Sequence, residues 1–314
     1  MSWIGTVIEV VVILLVLLNL PFGLIWTERR LLGGFQDRYG PNRVGPQGLL
    51  QPLADALKLM MKEDWVPSFA DRFVFIVAPA IVVVTVLLVF GTIPFSARIR
   101  VSDLSIGLLF FLAMASLGVY SIVLAGWSSN SKYSLVGGLR AAAQMISYEL
   151  PMGLSVVGVA MLAGSFRLGD IVEAQRPLWF CITQPVGLVI FLIATLAEAR
   201  RIPFDLPEAD SELVSGYHTE YSSMKFALFY LGEYLDITLV GCMTTVLFLG
   251  GWHGPWLPGL IWFALKVGAV IVLFVWVRSV LPRFRFDQLM DFGWKVLLPV
   301  SLLNILVTGC LALL

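Results

Sequence analysis

The chain alternates long apolar runs with polar connectors, and the apolar runs predict helices that cross a membrane. About 20 consecutive apolar residues in a helix span the roughly 30 Å of a bilayer's hydrocarbon core. The first run has no basic residues before it and ends in a charged "ERR", so we interpret it as a retained span rather than a signal peptide. Eight runs are long enough, at about 3–27, 73–94, 104–126, 138–164, 178–199, 224–250, 257–280 and 294–313. The pattern predicts an all-α integral membrane protein with about eight transmembrane helices, forming a single membrane domain over residues 1–314.

Polar and apolar positions within the connector 28–72 repeat at helical spacing. The segment 51–62 is predicted to form an amphipathic helix that lies on or in the membrane interface. A surface helix that packs on other connectors is the alternative. The polar positions are Gln51, Asp55, Lys58 and Lys62, and the apolar ones are Leu49, Leu53, Ala56, Leu57 and Met60.

The composition agrees with a membrane protein and excludes several site classes. Hydrophobic residues make up 59% of the chain, charged residues 13%, and the mean hydropathy is +0.89. A soluble domain is about 45–50% apolar and about 25% charged. The three cysteines are far apart and the two histidines are isolated, so no metal site is predicted. The run "GPNRVGPQG" lacks the Lys-Ser/Thr of a phosphate loop, which argues against nucleotide binding, and we expect no nucleic-acid partner.

The distribution of Lys and Arg predicts the orientation. The odd-numbered connectors hold sixteen of these residues, the even-numbered ones hold four, and Lys266 lies inside a span. Basic residues favour the cytoplasmic side. The odd connectors, including 28–72 and 201–222, are therefore predicted to be cytoplasmic, and both termini are predicted to lie on the outer side.

Several charged residues lie where a bilayer makes them costly. Each charge at the centre of a span costs about 2.5–3.5 kcal/mol even on a lenient scale, so such residues usually face protein or a wet cavity. A buried ion pair such as Lys266 with Asp236, acting only to hold helices together, is the alternative for any single residue. The charges within predicted spans are Glu149, Glu198, Glu233, Asp236 and Lys266.

The connector 201–222 is strongly acidic. Between Ile202 and Tyr221 it has no Lys or Arg, and it contains Asp205, Glu208, Asp210, Glu212 and Glu220. Clustered carboxylates repel one another, so some of them hold protons near neutral pH and can pass protons along a chain of groups. A solvated acidic surface is the alternative. The stretch "IPFDLP" favours a packed segment, because an apolar Phe204 lies between two prolines.

Motifs along almost the whole chain resemble one family, the quinone-module membrane subunit of respiratory complex I (the H-type subunit of bacterial NADH-quinone oxidoreductase, NADH dehydrogenase subunit 1 in mitochondria). The form "GYHTEYSS" is of the bacterial type, and Asp210 stands where mitochondrial members have Glu. The matching stretches are "ERRLLGGFQDRYGPNRVGPQGLLQPLADALKLMMKED", "AGWSSNSKYSLVGGLRAAAQMISYE", "EARRIPFDLPEADSELVSGYHTEYSS", "FALFYLGEY" and "PRFRFDQLMDFGW".

The resemblance implies a quinone chamber without a redox centre of its own. The chamber mouth is expected beside the first span, the amphipathic helix and the sixth span, with Arg29, Phe226, Phe229 and Arg278 lining the passage. Arg29 taken alone could equally be a charge that anchors the end of a span. A row of acids is expected to lead protons from the chamber into the membrane: Glu208, Asp210, Glu212, Glu220, Asp55, Glu233, Glu198 and Glu149, with Tyr148 beside the last.

The resemblance also implies partners and a location. The expected partners are soluble iron–sulfur and quinone-site subunits on the cytoplasmic side and small membrane subunits beside the chain. FMN and iron–sulfur clusters are expected in partner subunits. The expected location is a bacterial inner membrane. The quinone is the substrate. Two other classes remain open: the membrane subunit of an energy-converting hydrogenase, whose acidic connector is shorter, and a free-standing ion transporter, which often has inverted repeats.

Overall fold

The computed structural model describes residues 3–97, 99–206 and 214–313, and these residues form helices joined by loops, with no strand among them. A 3₁₀ turn at Pro46–Gly48 precedes α2, another lies at Gly216–His218, and a π turn at Gly293–Leu297 joins the last two helices. The helices are α1 (Trp3–Phe35), α2 (Gln51–Met61), α3 (Arg72–Phe90), α4 (Gly107–Ser128), α5 (Lys132–Ala163), α6 (Leu168–Ala174), α7 (Phe180–Thr183), α8 (Pro185–Glu198), α9 (Ser223–Phe248), α10 (Gly259–Val280), α11 (Phe286–Phe292) and α12 (Leu298–Leu313).

Seven stretches of helix in the described residues are long and apolar enough to cross a membrane. They lie in α1, α3, α4, α5, α9, α10 and the continuous stretch Phe286–Ala312. This confirms the predicted all-helical class and seven of the predicted runs.

The predicted run at 178–199 is divided into α7 and α8. The chain leaves helical geometry at Gln184, and Pro185 begins α8. Proline suits this position because it has no backbone N–H to leave unpaired in a first helical turn. The 14 residues of α8 extend about 21 Å at 1.5 Å per residue, which is less than a bilayer core.

The helix α9 is central and α1 is peripheral. In the most apolar window of α9, 67% of residues are buried within the protein, against 11% for α1. The helices α3 and α10 make the most extensive contacts with α9, while α1 contacts α9, α10 and α2 along one side. The region between α1, α2 and α9 therefore lies at an edge of the bundle rather than at its middle.

The segment predicted to be amphipathic forms α2, which is attached at both ends. Before α2, the Gln47 carbonyl accepts hydrogen bonds from Trp26 and Arg30 of α1, each 3.1 Å long. Beyond α2, Lys225 Nζ lies 2.5 Å from Asp64 Oδ1. Gly48, at φ +74°, allows the tight approach to Pro41, because a Cβ there would overlap the Pro41 carbonyl.

Lys266 does not form the ion pair with Asp236 that was the alternative for a charge within a span. Its ammonium group donates to the carbonyls of Leu249, Gly251 and His253 at 2.5, 3.0 and 2.7 Å. It also lies 4.2 Å from the ring centroid of Trp179. These carbonyls follow the end of α9, where unpaired carbonyl groups and the helix dipole favour a cation.

Candidate functional site

A cavity of about 600 Å³ lies between α1, α2 and α9. Its lining is mostly apolar, with Phe22 and Ile25 from α1, Leu59 from α2, and Phe226 and Leu231 from α9 among the contributors. Arg29, Asp55 and Tyr230 supply polar groups. Apolar walls with a few fixed polar groups are typical of a site for a mainly hydrophobic ligand.

Arg29 and Asp55 form an ion pair inside this cavity, with 2.6 Å between Nη1 and Oδ2. Gln51 donates to the other carboxylate oxygen at 2.9 Å. Partial burial by itself raises the pKa of Asp55, but the hydrogen bonds from Arg29 and Gln51 and the charge of Arg29 outweigh it, so the pKa lies below its ordinary value. Asp55 is therefore charged near neutral pH.

A row of aromatic rings on α9 leads away from the cavity. Phe226, Tyr230 and Tyr234 recur every four residues and share one helix face. The ring centroids are 5.9 Å apart for the first pair and 5.3 Å for the second. The Arg201 guanidinium lies 4.7 Å from the centroid of Tyr234, so the row ends at a buried cation.

Arg201 lies between two buried carboxylates. Its Nε is 2.9 Å from Glu233 Oε1, and its Nη1 is 3.4 Å from Glu28 Oε1. Glu28 also accepts a hydrogen bond from Arg278. Burial alone lowers the pKa of Arg201, but the charges of Glu233 and Glu28 outweigh it and raise that pKa, so the guanidinium stays charged. A small cavity beside this cluster is lined by Glu28, Arg201, Tyr234 and Arg278.

A second polar space lies deeper in the bundle. Glu198, Arg200 and Asp236 line a cavity of about 40 Å³ between α3, α4, α5 and α9. That volume exceeds the 10–15 Å³ or so that one water needs. Arg200 also donates to the Tyr217 hydroxyl and lies 5.3 Å from the centroid of that ring.

Glu149 lies further along and faces α4. Ser116 donates to its carboxylate, and Glu149 lines an otherwise apolar groove formed with Leu112, Leu150, Leu298 and their neighbours. Tyr148 points to another side of α5, where its buried hydroxyl donates to the Leu289 carbonyl at 2.9 Å. Adjacent positions on a helix face different directions, so these two residues are not brought together.

The other predicted residues are distributed as follows. Phe229 packs against Tyr217 and Tyr221, with centroids 5.4 and 5.0 Å away, and does not line the cavity that holds Phe226. Glu220 is half-buried just before α9. Glu208, Asp210 and Glu212 lie outside the described residues.

The sequence pattern did not single out Glu28, Arg200, Arg201, Tyr230 or Tyr234. Arg200 and Arg201 were counted only among the basic residues of a connector, and Glu28 appeared only in the charged "ERR" that ends the first apolar run. The spacing of Phe226, Tyr230 and Tyr234 was the available signal for the aromatic row, because positions four apart lie on one helix face.

The fold and these groups define a class: an integral membrane protein whose helices enclose charged residues next to a largely apolar cavity.

Comparisons with known proteins specify the family. The sequence model of the NADH dehydrogenase family matches residues 8–309. A relative from Geobacter metallireducens, named as an H-type subunit of NADH-quinone oxidoreductase, is 54% identical over 315 residues, covering 98% of this chain and 96% of its own. The protein of Methylococcus capsulatus with the same subunit name is 55% identical over 311 residues, covering 99% and 98%. The chain belongs to the NADH dehydrogenase family.

Proposed function

We propose that this chain is the H-type membrane component of an NADH-quinone oxidoreductase, with no redox centre of its own. Its cavity between α1, α2 and α9 admits the quinone, and its buried acids begin the proton path. The single observation that carries the proposal is the pairing of Arg29 with Asp55 inside that cavity. The names of the relatives support the activity of the assembled enzyme.

The cavity suits a quinone chemically. An isoprenoid tail needs apolar walls, and a quinone head needs donors for its carbonyl oxygens. The α1 and α9 side chains supply the walls, and the Arg29 guanidinium supplies donors in a fixed plane. The rings of Phe226, Tyr230 and Tyr234 extend the aromatic surface towards Arg201, where Arg278 and Glu28 lie close by.

The proton path that we propose starts at this charged end. Glu233, held by Arg201, is one helical turn from Asp236 on α9, and Asp236 shares the deeper cavity with Glu198. Glu149 follows beside Ser116. Asp55 and Glu220 belong to the cytoplasmic end of the path, together with Glu208, Asp210 and Glu212.

We also propose the arrangement in the membrane. The excess of Lys and Arg in the odd connectors supports both termini on the outer side, with α8 and the residues before it completing an eighth crossing of a bacterial inner membrane. The connectors 28–72 and 201–222 then meet soluble iron–sulfur and quinone-site subunits, and the groove at Glu149 meets a small membrane subunit. FMN and the iron–sulfur clusters belong to those partners.

Purification in mild detergent tests the proposal against its two alternatives. We expect iron–sulfur and multi-span membrane subunits to co-purify with the chain, together with NADH-dependent quinone reduction. A nickel–iron protein among the partners instead would indicate an energy-converting hydrogenase. A chain that purifies without partners and carries ions in vesicles would indicate a transporter.

A further inference from the structure

Gln144 is a wholly buried glutamine of α5 that holds a sharp bend in the chain. Its Nε2 donates to the carbonyl of Ala197 at 2.7 Å and to the carbonyl of Phe204 at 2.8 Å. One carboxamide therefore ties the last turn of α8 to the start of the acidic connector. We call residues 198–203, between these two carbonyls, the charged corner.

The charged corner presents three buried ionisable groups to two different surroundings. Glu198 and Arg200 line the deeper polar cavity opposite Asp236, while Arg201 lies between Glu28 and Glu233. The backbone at Arg200 is in the left-handed region, at φ +53°, which is costly for a residue with a side chain. A conformation of this kind persists only when surrounding contacts fix it.

We propose that Gln144 is a positioning residue for the quinone and proton chemistry, acting through the charged corner. By fixing both ends of the corner it makes Glu198 and Arg200 face Asp236 and makes Arg201 face Glu28 and Glu233. The proposal rests on the proposed function, because the groups that Gln144 holds in place belong to the proposed quinone and proton path. Gln144 itself contacts neither cavity.

The chain offers a matched control in Gln175, another wholly buried glutamine. Its Nε2 donates to the carbonyls of Val246 and Ile171 at 2.8 and 3.1 Å, and its Oε1 accepts from Gly250 at 2.9 Å. Gln175 therefore joins backbone segments in a similar way at the other end of α9, away from the charged corner. Any general cost of losing a buried carboxamide affects both residues.

The test compares Gln144→Met with Gln175→Met in the assembled enzyme. Methionine has the length of glutamine but no N–H to donate. Three quantities are measured: the amount of assembled complex, quinone reduction across pH, and protons moved per electron pair. The charged and titratable groups in the charged corner or next to it are Glu28, Glu149, Glu198, Glu233, Asp205, Asp236, Arg200, Arg201, Arg278, Arg283 and Tyr217.

For Gln144→Met we expect quinone reduction to fall about 10- to 100-fold, the range for misplacement of reacting groups by about 1 Å, with a displaced pH profile. The displacement should vanish when Glu198→Gln is also present. Gln175→Met should lower thermal stability and leave the pH profile unchanged. If Gln144→Met does not assemble, Gln144→Asn with Gln175→Asn as its control gives the comparison without adding a charge, because asparagine keeps the carboxamide but is one methylene too short to reach both carbonyls.

A Gln144 variant that assembles, reduces quinone and keeps the wild-type pH profile would overturn the positioning role. So would an equal displacement in the Gln175 variant. Failure of the proposed function would look different, because the wild-type chain would then show no quinone reduction with its partners.

Discussion

Arg29 of α1 and Asp55 of α2 are joined by an ion pair of 2.6 Å across the wall of the cavity between α1, α2 and α9. The pair connects α1, a candidate membrane-spanning helix at the edge of the bundle, to the amphipathic helix α2 beside it. Both residues are partly exposed, at 41% and 31% of their side-chain surface, so a pair of this kind stabilises the fold by less than about 1 kcal/mol. We therefore expect its position in the cavity wall to matter more for ligand binding than for stability.

Arg29→Lys should raise the apparent KM for quinone several-fold with the amount of assembled complex unchanged. Lysine keeps the charge but lacks the planar fork of donors. Steady-state quinone reduction measures the effect. Arg30→Lys is the matched control, since Arg30 donates to Gln47 and lies over Trp26. Equal kinetics in the two variants would mean that Arg29 is only an anchor.

The same pair should be insensitive to pH near neutrality. The pKa of Asp55 is held below its ordinary value, so the pair is complete above that ordinary value and is lost only as pH falls through the lowered pKa. Apparent KM should therefore stay constant between about pH 6 and 8 in the wild type and in Asp55→Asn alike, with a higher value in the variant. A wild-type KM that rises across this range would contradict an ionised Asp55.

Arg201→Lys should slow quinone reduction about 10- to 100-fold, because an ammonium group cannot reach Glu28 and Glu233 together in one plane. Both carboxylates are buried, so loss of either contact also lowers stability. The measurement is turnover per assembled complex. Arg285→Lys is the control, because Arg285 is 79% exposed and pairs with Asp287 at the surface. Wild-type turnover for Arg201→Lys would remove this cluster from the proposed path.

Glu149→Gln should reduce coupled proton movement by roughly tenfold or more while leaving assembly intact. Glutamine still accepts the hydrogen bond from Ser116, but it cannot exchange a proton. Proton release per quinone reduced is measured in sealed vesicles. Asp291→Asn changes an exposed carboxylate that pairs with Lys295 and should have no effect. An unchanged proton yield in Glu149→Gln would favour a purely structural role.

Lys266→Met should destabilise the chain, because three carbonyls near the end of α9 lose their donor. Each buried polar group left unpaired costs about 1–3 kcal/mol. Thermal unfolding of the purified complex should show a clearly lower midpoint, whereas Lys295→Met at an exposed site should change stability by about 0.5 kcal/mol or less. Equal midpoints would show that the carbonyls find other donors.

The positions of the helices follow from the sequence because apolar runs and charged connectors act locally. The division at Gln184 was signalled by Pro185, but the apolar content around it matches that of an unbroken span. Lys266 shows the limit of reading charges by composition. An ion pair with Asp236 was the alternative considered for it. Backbone carbonyls hold it instead, and those become available only because α9 ends at Phe248.

The candidate site was harder to predict because its contacts join distant segments. Arg200 and Arg201 read as charges that flank a span, yet both are buried. The partner of Arg201 on α1 is Glu28, 173 positions away. The connector 201–222 has no cation beyond Arg201, yet Arg283 reaches Asp205 at 2.9 Å. Pairings of this kind depend on how helices pack, which local periodicity does not encode.

Labelling with a photoreactive quinone tests the central claim most directly. The assembled enzyme is irradiated with the probe in membranes, and the labelled peptides of this chain are mapped. We predict labels on α9 around Phe226 and Tyr230 and on α1 around Phe22 and Ile25, competed by unlabelled quinone and weakened in Arg29→Lys. Labels confined to other faces of the chain, or no competable label in an enzyme that reduces quinone, would contradict the cavity between α1, α2 and α9 as the quinone entry.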